Sequence, residues 1–309
     1  MYGLIEELSM DYGVNRICEV LEVSRSAYYA FMRGECGSSA LERSTLANEL
    51  EQLFYEHKRR YGSRRLRSAL HDQGYEVGRY RVRSLMKALS LKAIQPRSFV
   101  PRTTRVDPSR ARSPNLLLEM QGAPQGIKEV LVGDITYVPS QVGWLYLAVW
   151  MDLFSRQIVG WHLADHLEAQ LVRDAFQKVS NKGRVMPGMI VHSDGGSQYS
   201  AAVFRTMLHK HNCRQSMTRK DNHYDNAFIE SLFSRIKAEL LDGQPVFVNQ
   251  TDAQLKIFEY IEGYYNTHRK HSSLGYLSPR QFEMQAQKDK PKSSGFPQKA
   301  SRLFGETGY

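Results

Sequence analysis

Three cysteines among 309 residues, Cys18, Cys36 and Cys213, are an odd number set far apart. Neither a disulfide framework nor a zinc pattern can be built from them, and a reducing, cytoplasmic setting is expected. No uninterrupted apolar stretch reaches the length a membrane-crossing helix needs. The opening MYGLIEELSMDYG has no basic block followed by an apolar one, so no secretory leader is expected. Acidic residues are scarce in one stretch above all. Between Lys58 and Arg112, sixteen Lys and Arg meet only Asp72, Glu76 and Asp107, a local charge of +13 in a chain of +10, which leaves −3 for the remainder. A polyanion is the natural partner of such a stripe; the competing reading is a solvated basic face.

The length allows two or three domains. Residues 1–56 form an N-terminal helical region. Within it RICEVLEV has helical apolar spacing, and Ser24 stands where it would cap a second helix, RSAYYAFMRG, that opens with Arg25. Helix, tight turn, helix suits a helix-turn-helix, or else a plain helical hairpin. Residues 57–95 read as a basic helix-turn-helix. Leu66, Ala69 and Leu70 give one apolar face, and Val82, Leu85, Met86 and Leu89 another, with Gly74 breaking the first helix and Gly78 just before the second. Arg64 and Arg65 start the first helix, and Arg79, Arg81 and Arg83 crowd the start of the second. Cations gain nothing from the dipole at a helix N-terminus, so this density points to phosphate or groove contact with DNA. Residues 96–126 lose periodicity and gain Pro, Ser and Arg, as a basic linker would.

Residues 127–284 read as an α/β core. KEVLVGDITYVPS, WLYLAVWMDLF and RQIVGWHLA are strands joined by turns at Gly143 and Ser155-Arg156. An amphipathic helix at 167–182, a strand in PGMIVHSDGG, a helix in YSAAVFRTMLHKHN and a short strand in CRQSMT follow. Helices at 224–241 and 252–270 complete a mixed sheet flanked by helices. Residues 285–309, rich in Lys, Ser, Gly and Pro, are expected to be a disordered tail.

Three acids stand where a metal site would need them. Asp134 lies within the apolar strand LVGDITYV, where an ionised carboxylate is costly unless bound or paired. Asp194 ends a strand before Gly195 and Gly196; a turn-capping role is the alternative. Glu230 sits on a helix among Ala227, Phe228, Ile229 and Leu232, with a solvated helix acid as the alternative. Lys237, seven residues on, returns to within about 20° of Glu230, and Asn226, four residues before, shares that face. Glu239 falls on the opposite side and is a poor ligand. Asp152 reads as a turn acid, His192 is close enough along the chain to approach Asp194, and His268 and His271 read as packing or DNA contacts, since no cysteine pair accompanies them.

Thirty-five residues separate Asp194 from Glu230, and sixty positions separate Asp134 from Asp194. This Asp, Asp, thirty-five, Glu pattern resembles the retroviral-integrase-like core of insertion-sequence transposases, most closely the second-frame (OrfB) product of a large bacterial group. VGDITYV, LAVWMDLFSRQIVGW, HSDGGSQY, MTRKDNHYDNAFIESLFSRIKAEL and YYNTHRKHSSLGYLSP resemble that family's segments in order, and YGSRRLRSAL with VRSLMKALSL resembles its helix-turn-helix region. The resemblance implies a ribonuclease-H-like catalytic core preceded by all-α DNA-binding regions. It implies metal-dependent cleavage at insertion-sequence ends and strand transfer, by Asp134, Asp194 and Glu230 with two Mg²⁺ or Mn²⁺ ions, Asp134 bridging both. It puts Lys237 against DNA near the metals. It further implies a homo-oligomeric synaptic complex with element ends and target DNA, a nucleoid-associated location, and a first-frame partner or fusion, since residues 1–50 carry no sustained heptads. The His-His-Cys-Cys zinc module of retroviral integrases has no counterpart in the sequence. A hydrolysis-only nuclease and a DNA-binding regulator of transposition are the alternatives.

Overall fold

The computed structural model describes residues 2–9, 12–33, 35–96, 112–219, 227–241 and 246–289. The chain divides into two compact units, Met1–Ala93 and Ile94–Tyr309. Among the described residues no helix is long and apolar enough to cross a membrane.

The first unit is all helical: α1 (Tyr2–Leu8), α2 (Val14–Val20), α3 (Arg25–Met32), α4 (Glu35–Glu56), α5 (Ser63–Asp72) and α6 (Arg79–Ala88). Ile5, Ile17, Cys18 and Tyr28 make a small core under α1–α3. Ser24 occupies the position before α3, but it is exposed and its hydroxyl makes no capping bond, contrary to the sequence expectation. A larger contact surface joins α4, α5 and α6. Leu50, Leu53 and Phe54 of α4, Leu66 and Leu70 of α5 and Val82 and Leu85 of α6 are buried there, each worth about 1.5–3 kcal/mol when taken fully from water. Gly74 follows α5 with φ +88°, a conformation that favours glycine, and Gly78 precedes α6 as its N-cap.

The second unit is built on a five-stranded sheet in the order β3-β2-β1-β4-β5. β1 (Val130–Ser140), β2 (Gly143–Asp152) and β3 (Ile158–Ala164) are antiparallel neighbours, whereas β4 (Ile190–Ser193) and β5 (Arg214–Met217) run parallel to β1. Helices α7 (Ala169–Asn181), α8 (Ser197–Ser200) and α9 (Ala202–Lys210) supply one core, in which Trp150 is stacked on Phe204 at 5.7 Å between ring centroids. Helices α10 (Ala227–Leu240) and α11 (Gln250–Phe258) supply the other, through Ile229, Leu232, Phe233, Ile236, Ala253 and Ile257. Alternate strand residues feed the two cores: Val130 and Val132 lie under α10, and Leu131 lies on the α7 side. This is the ribonuclease-H-like mixed sheet flanked by helices.

Several local expectations are corrected. The helix expected from YSAAVFRTMLHKHN is two helices, α8 and α9, divided at Ala201, whose ψ of 140° is extended. The helix expected over 252–270 changes to a π-helical turn at Glu259–Tyr265. There Asn266 pairs its side-chain amide with both the N–H and the carbonyl of Ile158, at 2.9 Å each, and so occupies part of the open edge of β3. The end of the proposed linker belongs to the core. Pro114 accepts from the Met217 N–H at 3.2 Å, Leu116 donates to Ser216 Oγ at 2.9 Å, and Leu116 is buried. Helix α12 (Pro279–Lys288) runs into the stretch expected to be a tail, started by a reciprocal Ser278–Gln281 capping box with Pro279 in the first turn. The tail from 290 onward, residues 97–111 of the linker and residues 224–226 lie outside the described residues.

Candidate active site

The strand registers bring two acids together. β1 and β4 pair in parallel with Val132 opposite His192. Two residues further along both chains stand Asp134 and Asp194, and parallel strands keep residues of equal offset side by side. Asp134 continues the Val130–Val132 row and so points to the face that α10 covers. Its carboxyl is pushed well above the usual carboxylate range, first by burial and then by the charge of Asp194. Glu230 pushes the same way, while a 2.7 Å bond from the Ile135 N–H and the Lys237 ammonium pull back. Asp194 Oδ1 accepts the Gly196 N–H at 3.0 Å, so it also stabilises the turn that starts α8.

Glu230 lies in the first turn of α10 and is exposed; the buried row Ile229, Leu232, Phe233 and Ile236 fixes the helix to the sheet beneath it. Lys237, seven residues on, is half-buried, its ammonium pulled down by burial and pulled back up by Asp134. Among the described residues no three His, Cys, Asp or Glu side chains converge tightly enough to hold one ion. The fold thus gathers a carboxylate pair, with Glu230 and Lys237 within electrostatic reach of Asp134. The donors are all carboxylate oxygens that repel one another, a chemistry that fits Mg²⁺ or Mn²⁺.

The other candidates sort as follows. Asp152 is buried and accepts the N–H groups of Lys128, Phe154 and Ser155 at 2.8–3.0 Å, as a turn acid does. Glu239 is buried away from the site, 2.6 Å from Arg269 Nη2 and 2.7 Å from the Tyr260 hydroxyl that donates to it. His192 is buried with Nδ1 2.8 Å from Ser216 Oγ. His271 packs edge-on to Tyr265, and His268 Nδ1 lies 3.0 Å from the Gly263 carbonyl. Asn226 lies outside the described residues. In the helical unit Arg64, Arg79, Arg81 and Arg83 are exposed. Arg65 is half-buried over the Tyr61 ring at 5.7 Å, and the exposed Arg25 donates to Asn15 Oδ1 at 3.1 Å.

Tyr199 was not anticipated. The short helix α8 carries it back under the strand ends, where it is fully buried. Burial, then the charges of Asp134 and Asp194, push its hydroxyl well above its ordinary value. The available signal was the spacing of an aromatic residue one helical turn after the Gly195-Gly196 pair.

Comparison with known proteins gives the family. The integrase core domain family matches residues 125–223, and a second integrase core domain family matches residues 211–279. An HTH-like domain family matches residues 41–99. Sheet, acids and helical unit together define an integrase-core enzyme with a helix-turn-helix-like region. The transposase of insertion sequence element IS904 from Lactococcus lactis is 41% identical over 243 residues, 79% of this chain and 95% of that protein. Transposase InsF of insertion sequence IS3A from Escherichia coli is 36% identical over 284 residues, 91% of this chain and 98% of that protein. The chain belongs to the insertion-sequence transposases and is a DNA transposase of the integrase-core, or DDE, kind. Among solved structures, the HTLV-2 integrase catalytic core domain in complex with magnesium aligns at 16% identity and a TM-score of 0.39, covering 52% of this chain and 98% of that one.

Proposed function

We propose that Asp134, Asp194 and Glu230 are the catalytic carboxylates and that they hold two Mg²⁺ or Mn²⁺ ions. The observation that carries this reading is the side-by-side placement of Asp134 and Asp194 at adjoining strands, with Asp134 half-buried and facing like charge. Bound there, a divalent cation stabilises charge on phosphate oxygens and lowers the pKa of an attacking hydroxyl. Water displaces the 3′ oxygen at phosphorus at each element end, leaving a 3′-OH on the element and a 5′-phosphate on the flank. That 3′-OH then attacks a target phosphate, so each step exchanges one P–O bond for another. Lys237 sets a positive charge beside Asp134, where the substrate phosphate must come. Glu230 completes the site from its exposed helical turn.

DNA is held by further cations. Arg79, Arg83 and Lys87 share one face of α6 at helical spacing, and with Arg64, Arg65, Arg81 and Arg25 they contact phosphates or base edges. Asn226, four residues before Glu230 in the sequence, is a further candidate DNA contact. Joining two element ends requires at least two copies in one synaptic complex, with a first-frame partner or fusion contributing to end recognition. The test is a cleavage-and-joining assay on labelled DNA carrying the flanking element ends, with Mg²⁺ or with EDTA. Joined products that require the metal are expected. Metal-dependent nicks that are never joined would replace this reading with a hydrolytic nuclease.

A further inference from the structure

Arg112 stands against Gly195, the residue after Asp194, and comes from the stretch whose composition reads as a basic linker lying along nucleic acid. Its segment is pinned along the outer edge of β5. The Ser113 hydroxyl donates to Gln215 Oε1 at 3.0 Å, Pro114 accepts from Met217, and Leu116 bonds Ser216. From that rail the Arg112 guanidinium occupies the space into which a side chain at Gly195, the residue after Asp194, would project. A Cβ added at Gly195 would stand 2.7 Å from Arg112 Cζ, closer than real contacts allow, so one of the two would have to move. Glycine at 195 therefore makes room for an arginine. Arg112 Nη1 is buried and has no hydrogen-bond partner among the described residues. An unsatisfied buried donor of this kind costs about 1–3 kcal/mol, more when charged. A guanidinium held against Gly195, the residue that follows Asp194, with a donor to spare matches one class of ligand, the oxyanion of a phosphodiester.

We propose that Arg112 is a further substrate-binding residue, its guanidinium gripping a phosphate of the DNA strand that is cut beside Asp194. The inference rests on Asp194 being a catalytic carboxylate. Gly195 is then a positioning residue, acting through Arg112.

The test uses the full chain carrying Asp134→Asn, so that DNA is bound and not consumed. Fluorescence anisotropy measures binding of a duplex bearing the flanking element end, over a range of salt and with single neutral methylphosphonates placed in turn around the end. Arg112→Gln is expected to weaken binding about ten-fold and to lower the salt slope by about one. One methylphosphonate position should weaken the unsubstituted protein and leave the Arg112→Gln protein indifferent. Gly195→Ala should reproduce this pattern and add nothing to Arg112→Gln, with thermal midpoints of both near that of the parent. Unchanged affinity and slope, or a loss equal at every phosphate, would overturn the proposal. Metal-dependent joining by the unsubstituted chain is measured in parallel. If joining persists while the phosphate scan is flat, Arg112 alone is misassigned; if joining is absent or indifferent to Glu230→Gln, the carboxylate site itself is wrong.

Discussion

At Asp134 two unfavourable effects add, burial and the neighbouring charges of Asp194 and Glu230. The folded carboxyl therefore has a higher pKa than the unfolded one, and its ionisation weakens the fold as pH rises through that folded value. Asparagine cannot ionise. Asp134→Asn is accordingly expected to raise the metal-free thermal midpoint at neutral pH by a few degrees, while abolishing Mg²⁺-induced stabilisation; calorimetry with and without Mg²⁺ checks both. A midpoint that falls would show that Asp134 is structurally paired. Cys213 shows the same sign more simply, since burial pushes its thiol up to about 11. Its stability contribution is complete below the ordinary thiol pKa and is lost as pH rises toward 11. Slow alkylation at pH 8, compared with a free thiol, is the expected outcome. Asp134 stands out in the sequence because an aspartate inside LVGDITYV breaks a local rule, whereas Asp194 and Glu230 stand out only through their spacing from it. Tyr199 and Arg112 were not, because their places depend on a helix entry and on a strand edge that pair residues a hundred positions apart, as Leu116 pairs with Ser216.

Helix α10 carries Glu230 and Lys237, so whatever seats it governs the site. Beyond its apolar row, the helix is tied down by Glu239, which takes a bidentate grip from Arg269 and a bond from Tyr260. With side-chain exposures of 1% for Arg269 and 7% for Glu239, this pair is shielded from solvent. Arg269→Ala would take this counter-charge from a buried carboxylate and is expected to cost about 3–5 kcal/mol, whereas replacing both partners with leucine or methionine should cost far less. Chemical denaturation of the two variants distinguishes these outcomes. On the opposite face, Gly160 lets α7 approach β3, for an added Cβ would lie 2.6 Å from the Ala175 carbonyl. Gly160→Ala is expected to destabilise by about 1–3 kcal/mol by the same measurement. Strands β1 to β3 were readable from apolar density and turn residues. The π-helical turn at Glu259–Tyr265 was not, because one inserted residue leaves the apolar pattern intact. Helix α12 was hidden by its polar composition, although Ser278, Pro279 and Gln281 spelled out its start.

Over the whole molecule, charge is divided in the manner of a DNA enzyme: a +13 stretch spans α5, α6 and the segment reaching Arg112, and a slightly acidic remainder holds the carboxylates. Substituting Arg79 and Arg83 together by glutamine is expected to lower the salt slope of DNA binding by about two while leaving stability unchanged, since both side chains are exposed. The basic stripe and the acid spacing made this division readable, but assigning residues 112–126 to a linker failed because composition does not report a segment pinned to a sheet edge by backbone bonds. Asp134, Asp194 and Glu230, from two adjoining strands and the helix that covers them, are held to perform the strand chemistry together. Single-turnover cleavage by Asp134→Asn, Asp194→Asn and Glu230→Gln, with DNA binding measured on the same preparations, tests it most directly. Bound DNA and cleavage reduced at least about a thousandfold are expected in all three, in line with the several kcal/mol a catalytic charge contributes. Near-normal cleavage by any one of them, with the fold intact, would contradict it.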